Sequence, residues 1–154
     1  MNSVTLLTKD LVDQYIEFKY SVDRERFKNP TRLSKQHVEK LYYQSSLGVS
    51  FGKRTYTYIY VENHTILGEL RITITKNKCY IELVDMLKKL YSSNIFIALI
   101  DKAIELCKDN DLNKITVDLV FDDEIQTSAY KKRGFKLLGK HSTEELWDTY
   151  ELTV

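Results

Sequence analysis

The stretch KITVDLVFDDEIQTSAYKKRGF, residues 114–135, changes its pattern three times along its length. The apolar, β-branched run 115–121 predicts a buried strand. The acidic turn 122–124 that follows can cap a helix. That short helix carries Tyr130, and it ends at Gly134–Phe135, where another strand begins. We therefore predict a strand, an acidic cap, a short helix and a glycine stop in direct succession.

Length and charge predict one domain over residues 1–154 and give no sign of a polyanionic partner. A chain of 154 residues can bury a substantial core, and its net charge is +1. This balance provides no general attraction to nucleic acid or to an anionic membrane. The N-terminal MNSVTLLTKDLVDQY lacks the pattern of a signal peptide, and no apolar run has membrane-spanning length. We expect a soluble, cytoplasmic protein without a nucleic-acid or membrane partner.

Cysteine and histidine usage predicts neither a disulfide framework nor a metal site. Cys79 lies in a strand-like run and Cys107 in a helix-like run, so both are expected to be buried free thiols. The three histidines, at positions 37, 64 and 141, are scattered, and no pair has metal-ligand spacing.

Hydrophobic periodicity predicts an alternation of strands and helices along the chain. Strands are expected at 4–7, 55–61, 66–75, 79–87, 115–121, 136–140 and 146–154, and helical patterns cover 11–22, 34–42, 94–107 and 124–132. Thr8 and Ser34 are candidate N-caps, and Gly68 suggests a bulge or a close backbone approach. An antiparallel meander precedes a crossover helix, so the predicted fold class is α/β with a mixed sheet (α+β).

Three segments carry a resemblance to a known family. They are VENHTILGELRI with the following strand YIELVDML, then LKKLYSSNIFIALIDKAIELC, and then DLVFDDEIQTSAYKKRGF, and the resemblance built on them covers residues 56–140. In order and spacing they resemble the GCN5-related N-acetyltransferases, the GNAT family. The resemblance implies a GNAT-like acyl-CoA N-acyltransferase fold. It also implies acetyl transfer from acetyl-CoA to a primary amine by direct attack.

The expected pyrophosphate loop departs from the family pattern. The family usually has Gln/Arg-x-x-Gly-x-Gly/Ala at the start of a helix, where this chain has YSSNIF, residues 91–96. A helix N-terminus suits an anionic group, and glycine lets a phosphate approach the backbone closely. Ser92, Ser93 and Asn94 can still offer hydroxyl donors and a backbone nest, or they only cap the helix. Phe96 is expected to point into the core.

The resemblance implies a set of cofactor contacts on the strand and the helices around this loop. The backbone of 84–87 should face the pantetheine arm, and the expected cofactor-binding residues are Val84, Met86, Leu87, Tyr91, Ser92, Ser93, Asn94, Ile95, Asp123 and Tyr130. Asp123 stands where the family usually has an Asn, and an N-cap is its simpler role.

The resemblance also places Tyr130 as the general acid toward the departing CoA thiolate. A phenol with a pKa near 10 can donate a proton at neutral pH, although the same residue could simply pack the helix on the sheet. For the general base, Glu82 and Asp85 lie on the expected strand. Because alternate residues face opposite sides, we predict that only one of them can face the cleft and choose Glu82. Glu69 on the preceding strand is a second candidate, and each could be an ordinary strand charge.

Two function classes remain open from the sequence. The first is an N-acetyltransferase acting on a small-molecule or peptide amine. The alternative is a catalytically inactive GNAT-fold binding or interaction module. The missing glycines and Asp123 favour the module, whereas Tyr130 and Gly134–Phe135 favour the enzyme. An exposed final strand could pair with a second copy, so a homodimer is one expected assembly.

Overall fold

The computed structural model describes residues 3–47, 49–50, 53–140 and 146–154. Its strands are β1 (Ser3–Leu6), β2 (Val49–Ser50), β3 (Lys53–Glu62), β4 (Thr65–Ile74), β5 (Cys79–Asp85), β6 (Lys114–Val120), β7 (Lys136–Gly139) and β8 (Trp147–Thr153). Its helices are α1 (Val12–Arg26), α2 (Lys35–Leu47), α3 (Asn94–Asp109) and α4 (Glu124–Lys132), with 3₁₀ helices at Lys9–Leu11 and Lys88–Ser92. His141, one of the three scattered histidines, lies outside the described residues.

The strands form one mixed sheet in the order β1-β3-β4-β5-β6-β8-β7, and β2 pairs with the start of β3. Strands β3, β4 and β5 form the predicted antiparallel meander, and α3 crosses over to β6, which pairs with β5 in parallel. The mixed-sheet prediction is confirmed. The final strand, however, does not lie at the edge that we expected. It pairs with β6 on one side and β7 on the other, so β7 forms the edge.

Helices cover both faces of the sheet. One core joins α1 and α2 to residues such as Ile59 and Ile66. The larger core joins α3 and α4 to the opposite face. Helix α3 buries Ile95, Phe96, Leu99, Ile100, Ala103 and Cys107. Cys79 and Cys107 are buried free thiols, as predicted.

Gly68 fulfils both predictions made for it. The β3–β4 register shifts beside it, since Tyr60 pairs with Gly68 and Val61 with Ile66. A Cβ at Gly68 would lie 2.9 Å from Cδ1 of Leu99 on α3. Glycine is therefore required here because α3 packs directly against the backbone of β4.

Several local predictions were wrong in detail. Thr8 precedes a 3₁₀ turn rather than α1, and its hydroxyl donates to Asp10 instead of capping a backbone N–H. Ser34 does cap α2, by accepting from the His37 N–H at 3.1 Å. The segment after β5 contains a 3₁₀ helix. Strand β5 ends at Asp85, two residues before its predicted end. At that point its partner β4 reaches the bulge beside Gly68. In the described ranges, no helix is long and apolar enough to cross a membrane.

Candidate active site

The parallel strands β5 and β6 separate toward their carboxyl ends. Their pairing runs from Cys79–Ile115 to Ile81–Val117. Beyond that point the two strands no longer pair with each other, while β5 keeps its pairing with β4 and β6 keeps its pairing with β8. The gap opens a cavity of about 230 Å³, lined by the ends of both strands and by residues of α1 and α4. This places the candidate site in the middle of the sheet.

A bulge in β5 brings two acidic residues to the same cavity. Leu83 pairs with Arg71 and Ile81 with Ile72, which leaves Glu82 as the extra residue. Glu82 and Asp85 consequently both line the cavity. The prediction that only one of them faces the cleft is wrong, because the bulge at Glu82 resets the alternation of side chains along β5. Glu82 is exposed and accepts a hydrogen bond from the Thr73 hydroxyl at 2.7 Å, and its role as base stays a prediction.

Asp85 ties α1 to the end of β5. Its two carboxylate oxygens accept from Lys19 and Arg26, both at 2.5 Å. Burial would lower the pKa of Lys19, but the charges of Glu69 and Asp85 outweigh it and raise that pKa. Asp85 is therefore a structural anion that holds a helix over the cavity.

Glu69 belongs to the same buried network. Its side chain is 0% exposed and accepts from the Tyr15 hydroxyl at 2.5 Å and from Lys19 and Arg71 at 2.9 Å each. Burial, followed by the charge of Glu69, raises the pKa of Tyr15. A carboxylate held by three donors is poorly placed to take a proton from a substrate, so the geometry argues against Glu69 as the base.

Tyr130 lies beneath the cavity with its ring wedged between Phe96 and Phe135. Each of those rings packs edge-on against it at 5.1 Å between centroids. Tyr130 is one of the residues that line the cavity, and its buried hydroxyl finds no hydrogen-bond partner among the described residues. Burial, with a smaller contribution from Tyr91, raises the pKa of Tyr130 well above 10. The packing role is confirmed, and burial keeps the hydroxyl protonated.

Backbone groups expected to meet the pantetheine arm are partly occupied by the protein itself. The Tyr91 hydroxyl donates to the Val84 carbonyl at 2.8 Å. The Leu87 carbonyl accepts from the Leu90 N–H at 2.9 Å. Met86 is 0% exposed and packs in the core. Two carbonyls of this segment are therefore already hydrogen-bonded within the protein, and its contact with a cofactor stays a prediction.

The loop before α3 caps the helix, which is one of its two predicted roles. Ser93 Oγ accepts from the Ile95 N–H at 3.2 Å and donates to the Leu90 carbonyl at 2.6 Å. Ser92 donates to the Lys89 carbonyl at 3.3 Å, and Asn94 is exposed. Both hydroxyls thus point into the loop rather than toward a bound anion. Phe96 is buried in the core, as predicted.

Two surface grooves lie along α4, and one of them borders the cavity. One, of about 700 Å³, shares Arg26 and Gln126 with the cavity. The other, of about 500 Å³, is lined by Lys88, Lys89 and Lys132.

Asp123 lines the first of these grooves and caps α4. Its Oδ1 accepts from the Gln126 N–H at 3.1 Å, which confirms the cap. Its expected contact with a cofactor stays a prediction.

Several further residues shape the site, although their sequence signals are weak. Asp118 on β6 lines the cavity, and it was visible as a single acidic residue inside an apolar strand. Lys19 and Arg26 lie seven residues apart on α1, a spacing that puts them on one helix face. The described residues contain no cluster of three His, Cys, Asp or Glu side chains that could hold a metal ion.

Comparison with solved structures gives the fold. No family profile and no curated protein matches the sequence. The PaiA N-acetyltransferase of Thermoplasma acidophilum, crystallised with coenzyme A, superposes with a TM-score of 0.81 at 13% identity, covering 100% of this chain and 99% of the other. A GNAT-family acetyltransferase of Streptococcus pneumoniae gives 0.73 at 14% identity over 100% and 99%. Ard1 of Thermoplasma volcanium gives 0.70 at 13% over 99% and 97%. The chain has the GNAT fold, as its sequence pattern predicted.

Proposed function

We propose that this protein is an N-acetyltransferase that transfers the acetyl group of acetyl-CoA to a primary amine. The observation that carries the proposal is the unpartnered Tyr130 hydroxyl beneath the gap between β5 and β6. A buried hydroxyl without a partner is costly, and a ligand atom in the cavity would satisfy it. One protein that shares this fold, with a TM-score of 0.81, was crystallised with coenzyme A.

The cavity and the two grooves would hold the successive parts of acetyl-CoA, from the thioester to the phosphates. The thioester would lie in the cavity above Tyr130, and the arm would leave along the groove beside Asp123. Lys88, Lys89 and Lys132 would then meet the phosphates. Because the Ser92 and Ser93 hydroxyls are used within the loop, we infer that lysine side chains provide most of the phosphate recognition. Of the loop residues, Tyr91 and Ser92 line the lysine groove and would add contacts there.

The chemistry follows from the positions of two side chains. The amine nitrogen attacks the thioester carbonyl, a C–N bond forms, and the C–S bond breaks to release the thiolate. Tyr130 remains protonated because its pKa is raised, so it donates a hydrogen bond to the developing negative charge on sulfur. Glu82, exposed at the cavity, accepts the proton of the attacking amine directly or through water. No covalent enzyme intermediate is required.

Calorimetric titration of acetyl-CoA, followed by a thiol-release assay with simple amines, tests the proposal. We expect the double variant Lys88→Ala/Lys89→Ala to bind acetyl-CoA about tenfold more weakly, since two charge-assisted contacts are lost. The matched control is Lys76→Ala/Lys78→Ala, which removes two exposed charges from a distant turn. Absence of binding and of a thermal shift at millimolar acetyl-CoA would contradict the proposal. Binding without turnover on any amine would instead support the inactive module.

A further inference from the structure

A second cavity lies on a different flank of α1 from the candidate active site. Its volume is about 530 Å³, a size typical of small-molecule sites. Lys19 and Arg26 lie on one stripe of α1 and line the active-site cavity. Glu17 and Ser21 lie on another stripe of the same helix and line the second cavity. The described linings share no residue, so the two cavities are separate sites.

Apolar side chains from three segments line the second cavity. The segments are α1, the start of β4 and the turn after β5, and the apolar lining residues are Phe18, Val22, Ile66, Leu67, Leu87 and Leu90. The first three are buried, and the three leucines are partly exposed. Contact between apolar surface and water is unfavourable, so a ligand with an apolar body is stabilised by covering the leucines. The lining therefore selects a ligand that is at least partly apolar.

The charged groups that line the second cavity are carboxylates. Exposed Asp10, Asp13 and Glu17 line it, and no lysine or arginine does so among the described lining residues. Asp13 pairs with Lys35 at 3.6 Å, and Glu17 pairs with Arg32 at 2.9 Å. These four side chains are all more than half exposed, and exposed pairs of this kind are weak. The cavity is therefore complementary to a ligand with a positive charge.

The second cavity shares a structural element with the groove that we assign to the phosphates. The 3₁₀ helix Lys88–Ser92 contributes Leu90 to the second cavity, while Lys88 and Lys89 line the groove. The Lys88 N–H donates to the carboxylate of Glu25 on α1 at 2.9 Å. A ligand between α1 and this turn would hold the turn in place, and the two lysines with it. Occupancy of the cavity is therefore expected to be coupled to phosphate binding.

We propose that the second cavity is a regulatory site for a small apolar cation, of the alkylammonium class, whose binding strengthens that of acetyl-CoA. The apolar body covers the leucines of the lining, and the positive charge faces Asp10, Asp13 and Glu17. The coupling rests on the proposed function, since it requires acetyl-CoA in the groove beside Lys88. The binding site does not, because it needs only the cavity.

Calorimetric titration of hexyltrimethylammonium and of hexan-1-ol tests the binding site. The two probes share an apolar chain, and only the first carries a charge. Its quaternary nitrogen has no N–H and cannot be acetylated, so it does not act as an acceptor. We expect the cation to bind at least about fivefold more tightly at low salt, and the difference to shrink with added salt, because the carboxylates are exposed. No binding of the cation, or equal affinities, would overturn the proposal.

A substitution in the lining tests where the probes bind. Ser21 is exposed on α1 and lines the second cavity, so Ser21→Trp places a large side chain in it. We expect this variant to lose binding of both probes, and unchanged affinities would place the probes elsewhere and refute the site. If Ser21→Trp does not fold, the charge variants described next decide the question.

Two triple variants test the role of charge. The first removes the carboxylates of the lining: Asp10→Asn/Asp13→Asn/Glu17→Gln. It should bind both probes equally. The matched control removes three exposed carboxylates from α3, two of which form ion pairs: Asp101→Asn/Glu105→Gln/Asp109→Asn. The control should keep the preference for the cation, and an equal preference in the two variants would contradict the proposal.

The coupling is tested by titrating acetyl-CoA with and without saturating hexyltrimethylammonium. We expect about fivefold tighter binding of acetyl-CoA with the cation present, and by linkage the same factor for the cation when acetyl-CoA is bound. Tetramethylammonium at the same concentration lacks the apolar chain and controls for ionic strength. Unchanged or weaker binding of acetyl-CoA would refute the coupling. If acetyl-CoA binds under neither condition, the proposed function fails, while the two probes still decide the binding site.

Discussion

The Tyr91 hydroxyl donates a hydrogen bond to the Val84 carbonyl at 2.8 Å. This contact joins the loop before α3 to the end of β5 at the border of the cavity. The Tyr91 ring is buried and packs against Phe96, which in turn contacts Tyr130. One aromatic row therefore links the expected phosphate loop to the expected acid. A strand carbonyl that could receive a ligand amide is held by the protein instead.

Replacing Tyr91 by Phe should free the Val84 carbonyl for an amide of the pantetheine arm. We expect acetyl-CoA affinity to rise several-fold, at a cost of about 1 kcal/mol in the free energy of unfolding for the lost hydrogen bond. Calorimetry and urea unfolding measure the two effects. Tyr60→Phe, on distant β3, is the control and should change neither. Weaker acetyl-CoA binding by Tyr91→Phe would show that the hydroxyl itself contacts the cofactor.

Tyr130→Phe should separate catalysis from stability. Loss of the donor to sulfur is expected to lower kcat by about 10²-fold with nearly unchanged acetyl-CoA affinity. Because the hydroxyl has no partner among the described residues, its removal should leave the melting temperature unchanged or higher. Thiol release and thermal unfolding provide the readouts. Turnover equal to the wild type would remove Tyr130 from the mechanism.

Lys19→Met should be strongly destabilising. The change leaves Glu69 and Asp85 without their shared cation in a site where the Lys19 side chain is 13% exposed. Breaking such a pair costs about 3–5 kcal/mol. Arg133→Met is the control, since Arg133 and Asp101 form an exposed pair at 2.7 Å and its loss should cost less than about 1 kcal/mol. Similar unfolding free energies for the two variants would contradict this ranking.

Gly68→Ala should loosen the contact between β4 and α3. The new Cβ would lie 2.9 Å from Leu99 Cδ1 and 3.1 Å from Ile95 Cγ2, both in the core. Overpacking of this kind costs about 1–3 kcal/mol. Gly139→Ala is the matched control, because a Cβ there meets no atom within 4 Å of the described chain. Urea unfolding of both variants compares them, and equal stabilities would show that α3 shifts without cost.

Stability should fall when the pH rises above about 10. Burial raises the pKa of Tyr15, Tyr91 and Tyr130 above the usual value near 10. Above that pH the unfolded chain releases these protons while the folded chain keeps them, so the unfolded state is favoured. The stabilisation is present below pH 10 and is lost at up to about 1.4 kcal/mol per pH unit for each tyrosine.

Urea unfolding on both sides of pH 10, with tyrosinate absorbance as a second probe, measures this loss. Tyr130→Phe should show a shallower decline, because one of the titrating groups is gone. Identical slopes for the variant and the wild type would contradict the assignment to Tyr130.

Local patterns in the sequence were sufficient for most elements of the fold. The alternating run after Thr55, the apolar face of α3 and the acidic turn before α4 predicted strand, helix and cap correctly, because each signal depends on near neighbours. Asp123 and Ser34 were identified as caps for the same reason. Gly68 was flagged from its position in a strand, and the structure supplied the neighbour, Leu99, that explains it.

The sequence by itself determined the order of the longer strands and helices, the mixed sheet and the position of Tyr130 on a short helix. Only the tertiary structure showed that a bulge directs both Glu82 and Asp85 to one cavity, and that Lys19 and Arg26 arrive there from α1. It also revealed that Tyr91 occupies the Val84 carbonyl. The physical reason is range: periodicity and caps are set within a few residues, whereas ion pairs and strand register depend on which distant segments meet.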